Sequence, residues 1–562
     1  MQVTEKACAP SMRPVRRKTA ISILLLAAAA AFSGPGIGAR AETLTAADPT
    51  LPGDGTMSAA AARALSRGPL PFSDADIAAK AAANRSTARP AKGEEAGQAG
   101  DIQQPRMPIV QGGLNFAGRS GKNFSPPDTT GAIGNSSYIQ LVNLRIGIFN
   151  RDTGALIASS SLNQLGQLDK SVNAFNPQII WDGQTERYFY AMDAVFSSSD
   201  NKLAFGFSKT SSPTNATTDW CHYVVNYGAR FPDYPKLGDS SFFAIIGVNA
   251  YDSSGQFVGS DLVAIRKPPA GTNCPKSIKF GTQLDLRDTS NARVFTPVPA
   301  QQVDDSNTGY IVSRNGNLPS TNLWIFDVRS DNSTGAPVFG AARKLPVKNY
   351  DIPPDATQPN APQLLDTLDA RNTQAVQATN PNRNKFSFWT QHTIANGSLS
   401  RVRWYEIDPV PSTPVQLRSS EILDGRSFYF NAAISPDRQR LGSTAAFGNS
   451  FVIEYNVSGS VSRLSPRIVV GSSANGGGVT YLPVLKIGSG PYVDRTCDNN
   501  PPGEGFVCRW GDYSSATPDP NPPSNRQRLN RGVVWGTNQF SGVANPPPNG
   551  VNWRTQIFSL QP

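Results

Sequence analysis

Nine side chains suited to polar recognition or acid–base chemistry stand just ahead of short apolar strands in successive repeats of this chain. They are Asp128, Asn176, Tyr234, Lys236, Asp369, Arg371, Asn431, Trp510 and Asp512. Asp128 and Asp512 are carboxylates that could serve as general acid, base or nucleophile, the pairing on which glycoside hydrolysis depends. The other seven combine donors, acceptors and aromatic faces, which is what a hydroxyl-rich ligand needs. The same positions also have a purely structural use. Asp and Asn before a strand cap turns, and Trp510 could simply pack between repeats.

The elements that must position these residues follow one repeating plan. After residue 125 the chain runs seven times through a turn-entered strand, a polar hairpin, an apolar strand, a second hairpin and a strand often bearing aromatics. The entrances are Pro127-Asp128-Thr129, Asn176-Pro177-Gln178, Tyr234-Pro235-Lys236, Arg371-Asn372-Thr373, Phe430-Asn431-Ala432 and Trp510-Gly511-Asp512, with a fourth unit from Phe295. Period-2 alternation bounded by Gly, Asn, Asp and Pro is the strand signal. No such unit buries its own apolar face, so the units must stack. The expectation is an all-β, seven-bladed β-propeller of four-stranded antiparallel blades, with each first strand lining a central channel. The seventh unit ends after three strands, which predicts that Met107–Phe116 returns to pair with Trp553–Leu560 and removes an open edge.

The remaining chain divides readily. Arg13, Arg16, Arg17 and Lys18, the apolar run Ile21 to Phe32, and Ala39-Arg40-Ala41 have the layout of a secretory signal peptide cleaved after Ala41, whether translation starts at Met1 or Met12. Residues 42–106 are rich in Ala, Pro, Gly and Ser, with a helical stretch capped by Ser73, and are expected to be a flexible spacer or pro-segment. The propeller is expected over 107–562. Six basic residues against Glu5 lie in the leader, so the formal charge falls from +10 to +5 without it. That balance gives no nucleic-acid footprint. Four cysteines follow the leader, and adjacency favours the disulfides Cys221–Cys274 and Cys497–Cys508.

Pro126-Pro127-Asp128-Thr129-Thr130-Gly131-Ala132-Ile133-Gly134 followed by Tyr138-Ile139-Gln140-Leu141-Val142-Asn143, with Phe231-Pro232-Asp233-Tyr234-Pro235-Lys236 and Arg509-Trp510-Gly511-Asp512-Tyr513, resembles secreted bacterial β-propeller proteins of the broad sialidase-like superfamily, most of which have no assigned activity. The resemblance spans about residues 107 to 562 and implies the fold and export. There is no Ser-x-Asp-x-Gly-x-Thr-Trp box, and the triple-arginine clamp of sialidases has no counterpart here.

Other chemistries find little support. The two histidines, His222 and His392, sit in no triad-like context, and there is no Gly-x-Ser-x-Gly elbow. Asp304–Gly309 and Asp331–Gly335 lack a twelfth-position acid and read as hairpin turns, so the only cofactor considered is a structural calcium ion in the channel. Two functions emerge for a monomer with no membrane span. One is a secreted propeller that binds an extracellular glycan or a cell-surface protein. The other is a glycoside hydrolase or polysaccharide lyase using Asp128 and Asp512.

Overall fold

The computed structural model describes residues 124–441 continuously, together with 40–45, 80, 82–84, 115–120, 444–459, 464–473, 478–494, 496–497, 506–522, 531–542 and 552–562. The expected signal peptide, apart from Arg40 and Ala41, lies outside the described residues, as do Ser73, residues 107–114 and the loop 498–505.

Among the described residues the chain is almost entirely β. Seven sheets of four or five strands follow one another along it, and their first strands are Thr130–Ile133, Asn173–Asp182, Phe231–Asp239, Val294–Pro299, Asn372–Asn380, Phe428–Pro436 and Ser515–Pro518. Each first strand packs against the next, and that of the seventh sheet packs against that of the first. The architecture is therefore an antiparallel β-propeller.

Alternation explains why the sheets stack. In the second sheet, Tyr188, Tyr190 and Met192 join Ile139, Leu141, Ile146 and Ile148 of the first sheet in one buried cluster. Their neighbours Phe189 and Ala191 point the other way and join Ala244, Ile246 and Val248 of the third. A strand feeding two cores in this way reads as nearly continuous apolar sequence, and each buried aromatic contributes about 2–3 kcal/mol. Disulfides join Cys221 to Cys274 and Cys497 to Cys508, the expected pairing.

The seventh sheet takes its outermost strand from far upstream. Asn115–Ser120 pairs antiparallel with Trp553–Leu560, with Asn115 opposite Phe558 and Phe116 opposite Ile557. Two residues of the expected Met107–Phe116 donor thus take part, and the pairing continues four residues beyond it. Side chains then tie this sheet to the first. Gln140 donates to Thr537 at 2.6 Å and Thr555 at 3.0 Å, and buried Arg151 grips Asp519 at 2.7 and 2.8 Å while also donating to the Gly134 carbonyl.

Additions to the plan lie outside the blades. Arg40–Thr45 forms a fifth strand on the third sheet, against Ser277–Gln283. A three-stranded sheet of Ala356–Gln358, Ala361–Leu365 and Val507–Cys508 precedes the entrances of the fifth and seventh units. Residues 80 and 82–84 are helical, and Lys80 and Asn84 are buried against residues 354–368. The described parts of 42–106 are therefore bound to the propeller.

Removing one member of the buried Arg151–Asp519 pair strands the other. Arg151→Met is expected to cost about 3–5 kcal/mol, read as a lowered urea midpoint, and adding Asp519→Asn should recover part of the loss.

Candidate functional site

The entrances are built by a recurring backbone device. The strand register slips between Phe175 and Gln178, Asp233 and Lys236, Phe295 and Val298, and Phe430 and Ala433. Inside these slips Asn176, Tyr234, Thr296 and Asn431 have φ of 52°, 59°, 56° and 47°. Asp128 and Gly511, at 45° and 128°, hold comparable places ahead of their strands. Such bulges turn the first strand and re-aim its side chains. Asn and Asp tolerate positive φ better than most residues, which accounts for several of the motif identities. The turn-forming use of these positions is thus real.

All nine residues singled out in the sequence belong to one connected network. Asp128 accepts the Asp512 amide hydrogen at 2.9 Å and the Asn143 side-chain amide at 2.6 Å. Asn143 also accepts from the Asn176 amide at 2.8 Å, and Asn176 donates to Asp193 and Asp233 at 3.0 and 3.1 Å. The Tyr234 hydroxyl donates to the Asp512 carbonyl at 2.6 Å. The Lys236 ammonium lies between the rings of Tyr513 and Tyr234, 3.7 and 4.1 Å from their centroids. Arg371 stacks on Tyr234 at 4.5 Å and makes a two-point pair with Asp369 at 2.6 and 2.7 Å. Asn431 and the Trp510 indole both donate to Asn456, at 3.1 and 2.8 Å.

The network is closed over rather than open to solvent. Trp510 is 0 % exposed, and even the most accessible of the nine, Asn176, is only 9 % exposed. Trp510 packs edge-on to Tyr492, whose backbone is clamped at both N and O by Gln358 of the three-stranded sheet. That sheet, stapled through Cys508, forms a cap. Thr130, Gln178, Lys236, Val298, Gln374 and Ser515 line a cavity of about 20 Å³, room for about one water molecule and not for a sugar ring.

Charge is concentrated here among buried groups. Burial pushes the Asp128 carboxyl up to about 7, helped by the Asp512 charge and opposed by the Asp512 amide. Burial also raises Asp233 to about 7 against the pull of Arg371, and lifts Asp193 well above the carboxylate range. Lys236 is driven well below its usual value by burial, only partly offset by Asp512. Arg509 holds one Asp512 oxygen at 2.6 Å. Among the described residues, the other Asp512 oxygen, one Asp193 oxygen, the Asn431 side-chain oxygen, the Tyr513 hydroxyl and the Lys236 ammonium have no hydrogen-bond partner.

Sequence reasoning missed Asn143, Asp193, Asp233, Arg509 and Tyr513. Asp233, Arg509 and Tyr513 lie within the quoted motifs and could have been included on that ground. Asn143 closes the Tyr138–Asn143 motif without having been given a role, and Asp193 lies on the second strand of its sheet, where no motif marks it. Among the described residues, no group of three or more His, Cys, Asp or Glu side chains is arranged to hold a metal ion.

No protein-family model and no curated protein matches this chain. Similar solved structures include the N10 neuraminidase-like protein of a little yellow-shouldered bat strain, at 9 % identity over 67 % of this chain and 99 % of that one, with a TM-score of 0.36. The NanB sialidase of Streptococcus pneumoniae matches at 9 % over 76 % and 81 %, TM-score 0.33. A GH43 β-1,3-galactosidase bound to galactodeoxynojirimycin matches at 10 % over 53 % and 97 %, TM-score 0.27. Matches this remote say nothing of activity or ligand, and the fold rests on the sheets described above.

The raised carboxyls set a direction for pH dependence. Between about pH 4 and 7 the folded chain keeps protons on Asp128 and Asp233 that the unfolded chain releases, so their contribution to stability is full below pH 4 and declines as pH rises through that window. Asp128→Asn with Asp233→Asn should flatten the fall in urea midpoint between pH 5 and 7.

Proposed function

We propose that this chain is a secreted, monomeric propeller that binds extracellular carbohydrate on the channel face. The observation that carries this reading is the set of buried polar atoms around the axis left without hydrogen-bond partners, on Asp193, Lys236, Asn431, Asp512 and Tyr513. Buried polar groups left unpaired cost about 1–3 kcal/mol each, so a cluster of them is a place where a polar guest gains more than it would elsewhere. Tyr234 and Tyr513 add ring faces, with centroids 4.8 Å apart. Access requires the cap around Tyr492 and Trp510 to lift. Two disulfides fit an oxidising compartment, reached through cleavage after Ala41. Among the described residues no helix is long and apolar enough to cross a membrane.

A second reading has its own support. A carboxyl raised to about 7 beside a second one is the arrangement from which glycan hydrolysis or elimination draws its acid and base, and Asp128 next to Asp512 supplies it.

Purified full-length protein incubated with a polysaccharide panel separates the two. Retention on a glycan without new reducing ends or unsaturated products, weakened at least about tenfold by Asp512→Asn, supports binding. Products that vanish in both Asp128→Asn and Asp512→Asn assign the enzyme. Neither retention nor products overturns the carbohydrate reading in favour of a surface protein partner.

A further inference from the structure

The side chain of Lys80, 7 % exposed, is held by residues about 275 to 290 positions further along the chain. Its ammonium is 2.7 Å from an Asp355 oxygen, 2.8 Å from the Thr367 hydroxyl and 2.6 Å from the Leu368 carbonyl. These are three acceptors for three hydrogens, with a second carboxylate, Asp366, at 3.8 Å. Four residues on, Asn84 donates to the other Asp355 oxygen at 2.7 Å and accepts the Asp355 amide at 2.8 Å.

The receptor side is built from bonds that do not involve Lys80. The Thr367 hydroxyl donates to the Pro354 carbonyl at 2.9 Å, which turns its lone pair toward the ammonium, and the Thr367 amide donates to Asp355 at 3.2 Å. The Leu368 amide donates to Asp366 at 2.9 Å. Asp366 also stands 3.8 Å from Arg509, which in turn holds Asp512 at 2.6 Å. The pocket is therefore one ion pair away from the channel network, on its capped side.

We propose that Asp355, Asp366, Thr367 and the Leu368 carbonyl form a primary-ammonium pocket beside the channel mouth, that Lys80 keeps it filled as a tethered stand-in, and that its external ligand is the amino group of a 2-amino sugar unit. The choice of an amino sugar rests on the carbohydrate reading above; the pocket itself rests only on the Lys80 geometry. A tethered group competes at an effective concentration in the millimolar range, so a free amine enters only when the segment is cut or displaced.

The test uses the full chain as wild type, Lys80→Ala, and Lys80→Ala combined with Asp355→Asn or with Thr367→Val. The probes are a glucosamine tetramer, its fully N-acetylated counterpart and n-butylammonium, followed by calorimetry and saturation-transfer NMR. Lys80→Ala should bind the glucosamine tetramer at least tenfold more tightly than wild type and should not gain for the acetylated one. Asp355→Asn should abolish the gain and Thr367→Val should weaken it severalfold, with the urea midpoint confirming that each variant is folded. Gain for n-butylammonium without gain for the glucosamine tetramer would overturn the amino-sugar assignment and keep the pocket. Equal binding of every amine by wild type and Lys80→Ala would overturn the pocket, whatever the polysaccharide panel shows.

Discussion

At the centre of this propeller, backbone turned at positive φ must find hydrogen-bond partners in the neighbouring sheet, and that requirement organises the rest. The Asn143 side chain receives the Asn176 amide from the second sheet, and the Asn249 side chain receives the Thr296 amide from the fourth. Asn538 of the seventh sheet reaches back to the Asn431 carbonyl of the sixth. Asp128 does the same across the seam by receiving the Asp512 amide. A bulge leaves backbone groups outside its own ladder, and burial makes each one expensive unless another chain segment answers it. The sheets are thus registered against one another by directional bonds as well as by apolar clusters, which alone would tolerate sliding.

The same geometry collects charge on the axis. Side chains that peg one sheet to the next are polar, and seven first strands bring their entrances together. Asp369 shows the compensated form of this crowding, with Arg371 and Arg314 both on it in a fully buried setting. Asp128, Asp193 and Asp233 show the less compensated form, in which burial moves the proton equilibrium instead.

Much of the fold was legible because the propeller writes its period into the sequence. A strand such as Arg187–Ser197, whose two faces serve two cores, still carries turn residues at both ends, and those residues set the repeat. The entrances were legible for a related reason: Asp128, Asn176 and Asn431 are the residue types that accept positive φ. Burial was not legible. The cap that covers Trp510 is assembled from 356–365 and 507–508, segments with weak strand signals that meet only in three dimensions. Nor could sequence show that Lys80, in an alanine-rich stretch, would be matched to Asp355 and Thr367 across about half the chain.

The strand that finishes the seventh sheet has a temporal meaning. Asn115 and Gln556, bonded through their side chains, are 441 positions apart, and closing a loop of that size costs roughly 5 kcal/mol of chain entropy. At about 5–20 residues per second, the upstream strand emerges roughly 20 to 90 seconds before its partner. Until then it offers unpaired amides and carbonyls to any other strand nearby. Nascent chains of this protein therefore pass through a long interval in which only a chaperone, or dilution, guards the unfinished edge.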